Sequence, residues 1–386
     1  MLVHGVLAPA LEPPTGYLVW DRVTAAGIWP AGERMAQTIL VTGGCGFIGS
    51  AVVRRLLANA DVAVVNLDAM TYAANPRTDA ELTRNPRYRL AKGTICDAAF
   101  VRAVVNDCRP AGVVHLAAES HVDRSIDNAA EFLRTNVEGT AVLLDAATAY
   151  WRGLGDAARA AFRFVHVSTD EVYGSLGLVG YSAEGAVYEP NSPYAASKAA
   201  SDHLARAWHR THGLPTIVTH GSNTYGPYQF PEKLIPLIIV RALRGESLPV
   251  YGKGENVRDW LYVEDHAAAL TEVLRRGRPG EVYNVGGGNE RRNIDVVRAV
   301  CAILDELAPD QSGPYGRRIA FVKDRPGHDL RYAVATDKIR AEVGWRPAIA
   351  FEAGLPATVA WYLANRAWWE PALAQTDATQ RLGLAR

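Results

Sequence analysis

Cysteine, methionine and net charge are all scarce in this sequence. Four cysteines, Cys45, Cys96, Cys108 and Cys301, stand among 386 residues, and none forms a Cys-x-x-Cys pair or a zinc-like spacing with a histidine. That argues against a disulfide framework and against a metal site, and it points to reduced thiols in a cytoplasmic protein. The charges cancel, with 41 Lys+Arg against 41 Asp+Glu. No global field draws the chain to nucleic acid or to an anionic membrane, so an anionic ligand has to be held by local groups. Long apolar runs are missing too. The most apolar stretch, LIPLIIVRAL at 234–243, is short and carries an arginine, which excludes it as a membrane span. There is no internal repeat and no low-complexity tract.

Residues 1–34 lack a helical or strand period, have scattered Pro and Gly, and have no basic start that would suggest a signal peptide. Residues 1–36 are expected to form a disordered extension, with Met35 as an alternative start just before the first strand. From Gln37 the pattern changes. Apolar strands are predicted at 38–41, 62–67, 113–117, 162–168 and 215–220, with amphipathic helices between them, for example at 48–59 and 131–150. Short apolar strands alternating with helices predict an α/β fold, a doubly wound parallel sheet covered on both faces. After about residue 226 turns multiply, as in YGKGEN and DRPGHD. The expected division is a first domain at 37–225 and a smaller α/β lobe at 226–386, with part of 258–275 packing back on the first.

The first strand runs into ILVTGGCGFIGS, where Gly43, Gly46 and Gly49 follow G-x-x-G-x-x-G at a strand-to-helix junction. Glycines there permit a tight turn and let the backbone approach a pyrophosphate at the helix N-terminus. The second strand ends in Asp68, 22 residues after Gly46. A carboxylate at that place accepts hydrogen bonds from an adenosine ribose and repels a 2′-phosphate, which favours NAD over NADP.

A helix is predicted from NSPYAASK, with Ser192 as cap and Pro193 at its first position. Tyr194 and Lys198 are four apart and share one face. An ammonium beside a phenol favours the phenolate, and such a tyrosine can take a proton from a sugar hydroxyl. Just upstream, the stretch HVSTDEVYG closes a buried strand with adjacent acids, Asp170 and Glu171. A turn needs at most one of them. Two neighbouring carboxylates can serve as acid and base if their protonation states differ. The bland alternative is a solvated turn.

Taken together, TGGCGFIGS, HLAAESHVDRSI, STDEVYG, SPYAASK, YGPYQFPEKLIPL, GKGENVRDWLYVEDH and DRPGHDLRY resemble the extended short-chain dehydrogenases/reductases, and most closely the dTDP-glucose 4,6-dehydratases. The resemblance spans most of residues 37–365 and implies a Rossmann domain, NAD as cofactor and dTDP-glucose as substrate. It implies C4 oxidation with Tyr194 as base, C5 deprotonation by Glu171, protonation of the leaving C6 hydroxyl by Asp170, and hydride return to C6. Thr169 would hydrogen-bond the sugar's 4-oxygen, and Lys198 completes the catalytic set.

For the cofactor the resemblance implies Gly43, Gly46, Phe47, Ile48, Gly49, Asp68, Ile95, Asp97, Ala117, Ala118, Ser168, Tyr194 and Lys198. For the substrate it implies Ser120, Thr169, Asn223, Glu232, Lys233, Leu234, Tyr251, Arg258 and His328, with Asn223, Arg258 and His328 on the diphosphate and Tyr251 stacked on the base. A C2 homodimer through helices near 99–107 or 131–150 and 193–211 is expected, with Phe132, Val142 and Leu143 as interface or core positions. The sequence departs from the family at Thr94, His220, Gly221 and Thr224. Other readings are another nucleotide-sugar 4,6-dehydratase, an epimerase or decarboxylase, and a non-catalytic NAD-binding regulator. Asp170 and Glu171 argue against the epimerase, and the intact Tyr194, Lys198 and Glu171 argue against the regulator.

Overall fold

The computed structural model describes residues 17–18 and 37–374. In chain order its strands are β1 (Tyr17–Leu18), β2 (Gln37–Thr42), β3 (Val62–Asp68), β4 (Tyr88–Lys92), β5 (Gly112–His115), β6 (Arg163–Thr169) and β7 (Thr216–Gly221). They continue with β8 (Asn223–Tyr225), β9 (Leu248–Tyr251), β10 (Val257–Tyr262), β11 (Val282–Val285), β12 (Glu290–Arg292) and β13 (Ile319–Val322). Eight of them form one parallel sheet in the order β1-β4-β3-β2-β5-β6-β7-β11.

Every residue of β3 and β7 is buried, as central strands covered on both faces require. One face carries the helices Phe47–Leu57 and Val263–Arg276, whose Val52, Val53, Leu56, Leu270 and Val273 share a core with Val64 and Val165. The other face carries Ala98–Cys108, Gly139–Arg152 and Pro193–His212, with Val101, Val104, Leu143 and Leu144 against Leu40 and Phe164. The strand order reverses between β2 and β5, so a crevice opens at their carboxyl ends, where such sheets take ligands.

The smaller lobe has its own core around Ile238, Val250, Val297 and Tyr362, and two small sheets, β12-β10-β8 and β13-β9. The chain crosses between the lobes repeatedly. Helix Val263–Arg276 packs on helix Phe47–Leu57, and β11 joins the main sheet beside β7. Ile339, Val343 and Trp345 also enter the first core. Strands β4 and β11 were not expected from the sequence. Tyr88 and Leu90 are separated by a polar Arg89, and VYNV is four residues long, so neither shows a clear period.

Of the expected disordered extension, Tyr17 and Leu18 pair with Leu90 and Ala91 at the sheet edge. The rest of residues 1–36 lies outside the described residues. Phe132 and Leu143 are buried inside their own chain, which makes them core rather than interface positions. Leu133, beside them on a π-helical turn, is exposed. No helix among the described residues is long and apolar enough to cross a membrane.

Candidate active site

A cavity of about 630 Å³ lies at the carboxyl ends of β2, β5 and β6 and extends under the smaller lobe. Its floor starts at the glycine loop. Gly43 has φ +73°, and a Cβ there would come within 2.8 Å of the Ala117 backbone. A Cβ on Gly49 would sit 2.1 Å from the Gly43 carbonyl oxygen. Only glycine lets this loop close so tightly. Helix Phe47–Leu57 starts at Gly46 with no side chain capping it, and its first turn lines the cavity. Such a terminus favours anionic groups.

Asp68 secures the loop. One carboxylate oxygen accepts from the Cys45 amide (2.8 Å) and the other from the Met70 amide (2.8 Å). Asn66 accepts from the Gly44 amide at 2.7 Å. Phe47, Ile48, Ile95, Ala117, Ala118 and Ser168 line the same cavity. Asp97 does not belong with them. Its carboxylate accepts from the Ala99 and Phe100 amides, both at 3.0 Å, and so caps helix Ala98–Cys108. A glycine floor that a Cβ would fill, an uncapped helix start and a buried carboxylate at the next strand's end fit a dinucleotide.

Helix Pro193–His212 starts as its sequence dictates, with Ser192 Oγ accepting from the Ala195 amide (3.1 Å) and Pro193 at its first position. This places Tyr194 and Lys198 on the cavity wall beside Thr169 and Glu171. Lys198 donates to the Val167 carbonyl at 2.9 Å. Burial pulls its ammonium down to about 8, with Asp202 opposing. The phenol of Tyr194 is raised, not lowered as the pairing with Lys198 suggested. Burial and then the Glu171 carboxylate outweigh a hydrogen bond with Thr169.

The acids stand on a 3₁₀ turn, Asp170–Tyr173, whose start is capped by Thr169 Oγ1 accepting from the Glu171 amide (3.3 Å). Asp170 is 3% exposed, does not line the cavity wall, and contacts Thr169 Oγ1 at 3.4 Å. Its Oδ2 is buried without a hydrogen-bond partner. Burial, then Glu171, then Asp259 raise its carboxyl well above the ordinary range. Glu171 is raised by burial as well, but Arg325, Arg258 and Lys233 draw it back toward the carboxylate. Both carboxyls are thus raised, with acidic neighbours reinforcing burial at Asp170 and cationic ones opposing it at Glu171, an asymmetry that suits an acid and a base.

The wall toward the smaller lobe holds Ser120, Asn223, Glu232, Lys233 and Leu234. Lys233 donates to the Ser120 carbonyl (2.8 Å), and Arg124 donates to Glu232 (3.4 Å). Asn223 Oδ1 is buried without a partner. Tyr251, Arg258 and His328 lie next to this wall rather than on it. Tyr251 donates to Asp123 (2.6 Å) and meets the His328 ring edge-on at 6.0 Å. Arg258 donates to the Asp329 carbonyl (3.0 Å) over the Tyr332 ring. His328 faces Asp324 at 2.6 Å.

Two contributors went unread in the sequence. Arg325 ion-pairs with Asp123 at 3.5 Å and is the strongest charge favouring ionised Glu171. Asp202 sits beneath Lys198, four residues on, the same spacing that marked the Tyr194–Lys198 pair. The departures from the family also have local reasons. A Cβ on Gly221 would be 2.5 Å from the His266 ring, while Thr224 Oγ1 is 2.8 Å from His266 Nδ1.

Fold and site define a dinucleotide-binding enzyme with a Tyr-x-x-x-Lys helix and a pair of adjacent carboxyls beside it. Residues 40–358 match the family described as GDP-mannose 4,6 dehydratase. The dTDP-glucose 4,6-dehydratase of Neisseria meningitidis serogroup B is 56% identical over 354 residues, covering 91% of this chain and 100% of that protein. The Escherichia coli dTDP-glucose 4,6-dehydratase is 53% identical, covering 90% of this chain and 99% of that one. Among solved structures, DesIV of Streptomyces venezuelae, a dTDP-glucose 4,6-dehydratase with NAD and TYD bound, superposes with a TM-score of 0.78 at 47% identity, over 87% of this chain and 99% of that one. The UDP-glucose 4-epimerase of Thermotoga maritima with UDP-glucose gives 0.74 at 29% identity, over 85% and 99%. The chain belongs to the GDP-mannose 4,6-dehydratase family, among its dTDP-glucose 4,6-dehydratases.

Proposed function

We propose that the chain is an NAD-dependent hydro-lyase that converts dTDP-glucose to dTDP-4-keto-6-deoxyglucose. The observation that carries this reading is the pair Asp170–Glu171, two adjacent carboxyls on one 3₁₀ turn, Asp170 buried and Glu171 on the cavity wall with Tyr194 and Lys198. NAD would rest on Gly43, Gly46 and Gly49 with its ribose at Asp68, and when bound it accepts hydride from sugar C4, returns it to C6, and adds positive charge beside Tyr194.

The chain's own groups do the proton chemistry. Tyr194 Oη takes the proton of the 4-hydroxyl, and the Lys198 ammonium stabilises the phenolate. The resulting 4-ketone acidifies the C5 proton, which Glu171 removes. Asp170, kept protonated by burial, gives its proton to the C6 hydroxyl, which leaves as water across the C5–C6 bond, and Glu171, exchanging with solvent, returns a proton to C5 as C6 is reduced. Thr169 Oγ1 would hold the sugar's 4-oxygen. Asn223, Arg258 and His328 would hold the diphosphate, and Glu232, Lys233, Leu234 and Tyr251 the nucleoside.

In this reading the enzyme works in the cytoplasm as a homodimer, pairing through the face that carries Leu133 and the helices Gly139–Arg152 and Pro193–His212. Incubation with dTDP-glucose and with UDP-glucose in D2O tests the reaction and the nucleotide together. A C6 methyl doublet with deuterium at C5 from dTDP-glucose is the expected result. C4 inversion without a methyl group would instead make the chain an epimerase.

A further inference from the structure

Beneath the Tyr194–Lys198 face lies a polar cluster that the reaction does not use directly. Asp202, on the same helix, is fully buried between two strands. From β7, His220 Nε2 stands 3.0 Å from Asp202 Oδ2. From β6, His166 Nε2 stands 3.2 Å from Oδ1. The Ser168 hydroxyl, on the cavity wall, donates to Oδ2 at 3.0 Å. Residues 198 and 202 are one helical turn apart and share a face.

Hydrogen bonding fixes the cluster's orientation. His166 Nε2 is 3.0 Å from Ser201 Oγ, whose proton goes to the Lys198 carbonyl. Tyr173 Oη lies within reach of both His220 Nδ1 (2.6 Å) and Asn284 Oδ1 (2.9 Å), which leaves His220 Nε2 to face the Asp202 carboxylate. Tyr188 Oη approaches His220 Nε2 at 3.0 Å from the loop side. The carboxylate is thus flanked from β6 and β7, with Tyr188 backing His220, on the one helix turn beneath the catalytic lysine.

We propose that Asp202 is a positioning residue: gripped by His166 and His220, its carboxylate fixes the Ser168 hydroxyl and supplies the counter-charge that keeps Lys198 an ammonium. Burial opposes ionisation of Asp202, but the imidazoles of His166 and His220 beside it hold its carboxyl well below the usual range. The other groups facing Lys198 do not supply that charge. His115 on β5 and His166 on β6 are pushed toward neutrality by burial first, His166 to about 4. Tyr194 and Asp170 are raised and so held neutral. Glu171, the wall acid beside Tyr194, is already offset by Arg325 and Arg258.

The role of Lys198 rests on the proposed function, but its titration does not, which separates the two tests. The full chain labelled with ¹³C-lysine reports the Lys198 titration by NMR without substrate. In Asp202→Asn, which keeps the shape and removes the charge, that titration should fall by about one pH unit or more. The alkaline limb of kcat should move the same way. His220→Asn keeps a polar atom facing Tyr173 and deletes the nitrogen facing Asp202. With the carboxylate less firmly held in its ionised form and place, Lys198 should then titrate lower than in the parent chain, by less than in Asp202→Asn, and this variant decides the matter if Asp202→Asn does not fold. A uniform loss of rate at every pH, with the Lys198 titration unmoved in both variants, would overturn the proposal and leave Asp202 a packing residue.

Discussion

The two walls of the cavity are built differently. The cofactor wall rests mainly on three short contiguous motifs, residues 42–50, 166–171 and 192–198, each at the end of a strand or the start of a helix, with Asp68, Ile95, Ala117 and Ala118 added from neighbouring strand ends. The wall toward the smaller lobe is stitched from residues far apart in sequence. Behind it Tyr251 reaches Asp123 across 128 positions, and Arg124 reaches the wall's Glu232 across 108. The first wall relies on backbone shape and buried charge, so one atom in the wrong place disables it. The second relies on several exchangeable side-chain contacts, so single losses should be graded.

The largest expected effect falls on the first wall. Tyr194→Phe removes the group that takes the 4-hydroxyl proton, and turnover should fall by roughly 10²–10⁴-fold with binding of dTDP retained. Steady-state kinetics and calorimetry on the same preparation check both halves of that statement. Gly49→Ala comes next. Its Cβ would fall 2.1 Å from the Gly43 carbonyl, so NAD affinity should drop by about 10²-fold, the cost of displacing a positioning element by an ångström. Unchanged NAD affinity would show that the loop does not carry the dinucleotide.

The second wall should respond more gently. Tyr251→Phe removes one hydrogen bond to Asp123 and keeps the ring against His328. KM for the nucleotide sugar should rise by about tenfold or less, with kcat nearly unchanged. A collapse of kcat would mean that this wall is as brittle as the first.

The smallest effect is on stability. Burial raises Asp170, so the folded chain favours its neutral form. The stability this gives is present below the ordinary carboxyl range and is lost as pH rises toward the raised folded value. Asp170→Asn does not titrate. Its melting temperature should therefore gain on the parent chain between pH 5 and pH 8, by about 2–4 °C. Scanning calorimetry at the two pH values checks this, and an equal gap at both would contradict the buried-acid assignment.

The same contrast explains what could be read without coordinates. The parallel sheet, the glycine floor, Asp68 and the Tyr194–Lys198 face follow from period and spacing, because each is local. Asp97 shows the limit of local reading, since a carboxylate just before a helix serves its cap as readily as a ligand. The pairing of Asp123 with Arg325 and Tyr251 could not be read, because it needs β9 and the 324–332 segment brought over the first domain. The raised phenol of Tyr194 was also hidden, since burial and the nearness of Glu171 are tertiary facts. Asp202 was the nearest miss, for its helical spacing from Lys198 was present but its two histidine partners lie on other strands.

The central claim is that Asp170 and Glu171 divide acid and base work. Glu171→Gln, incubated with dTDP-glucose and NAD in D2O, tests it most directly. The variant keeps Tyr194 and Lys198, so oxidation at C4 should persist and the absorbance of the reduced nicotinamide should appear. Deuterium at C5 and the C6 methyl product should both fall by roughly 10²–10⁴-fold. If the variant forms the methyl product at the rate of the parent chain, the two carboxylates are only a turn and the mechanism assigned to them is wrong.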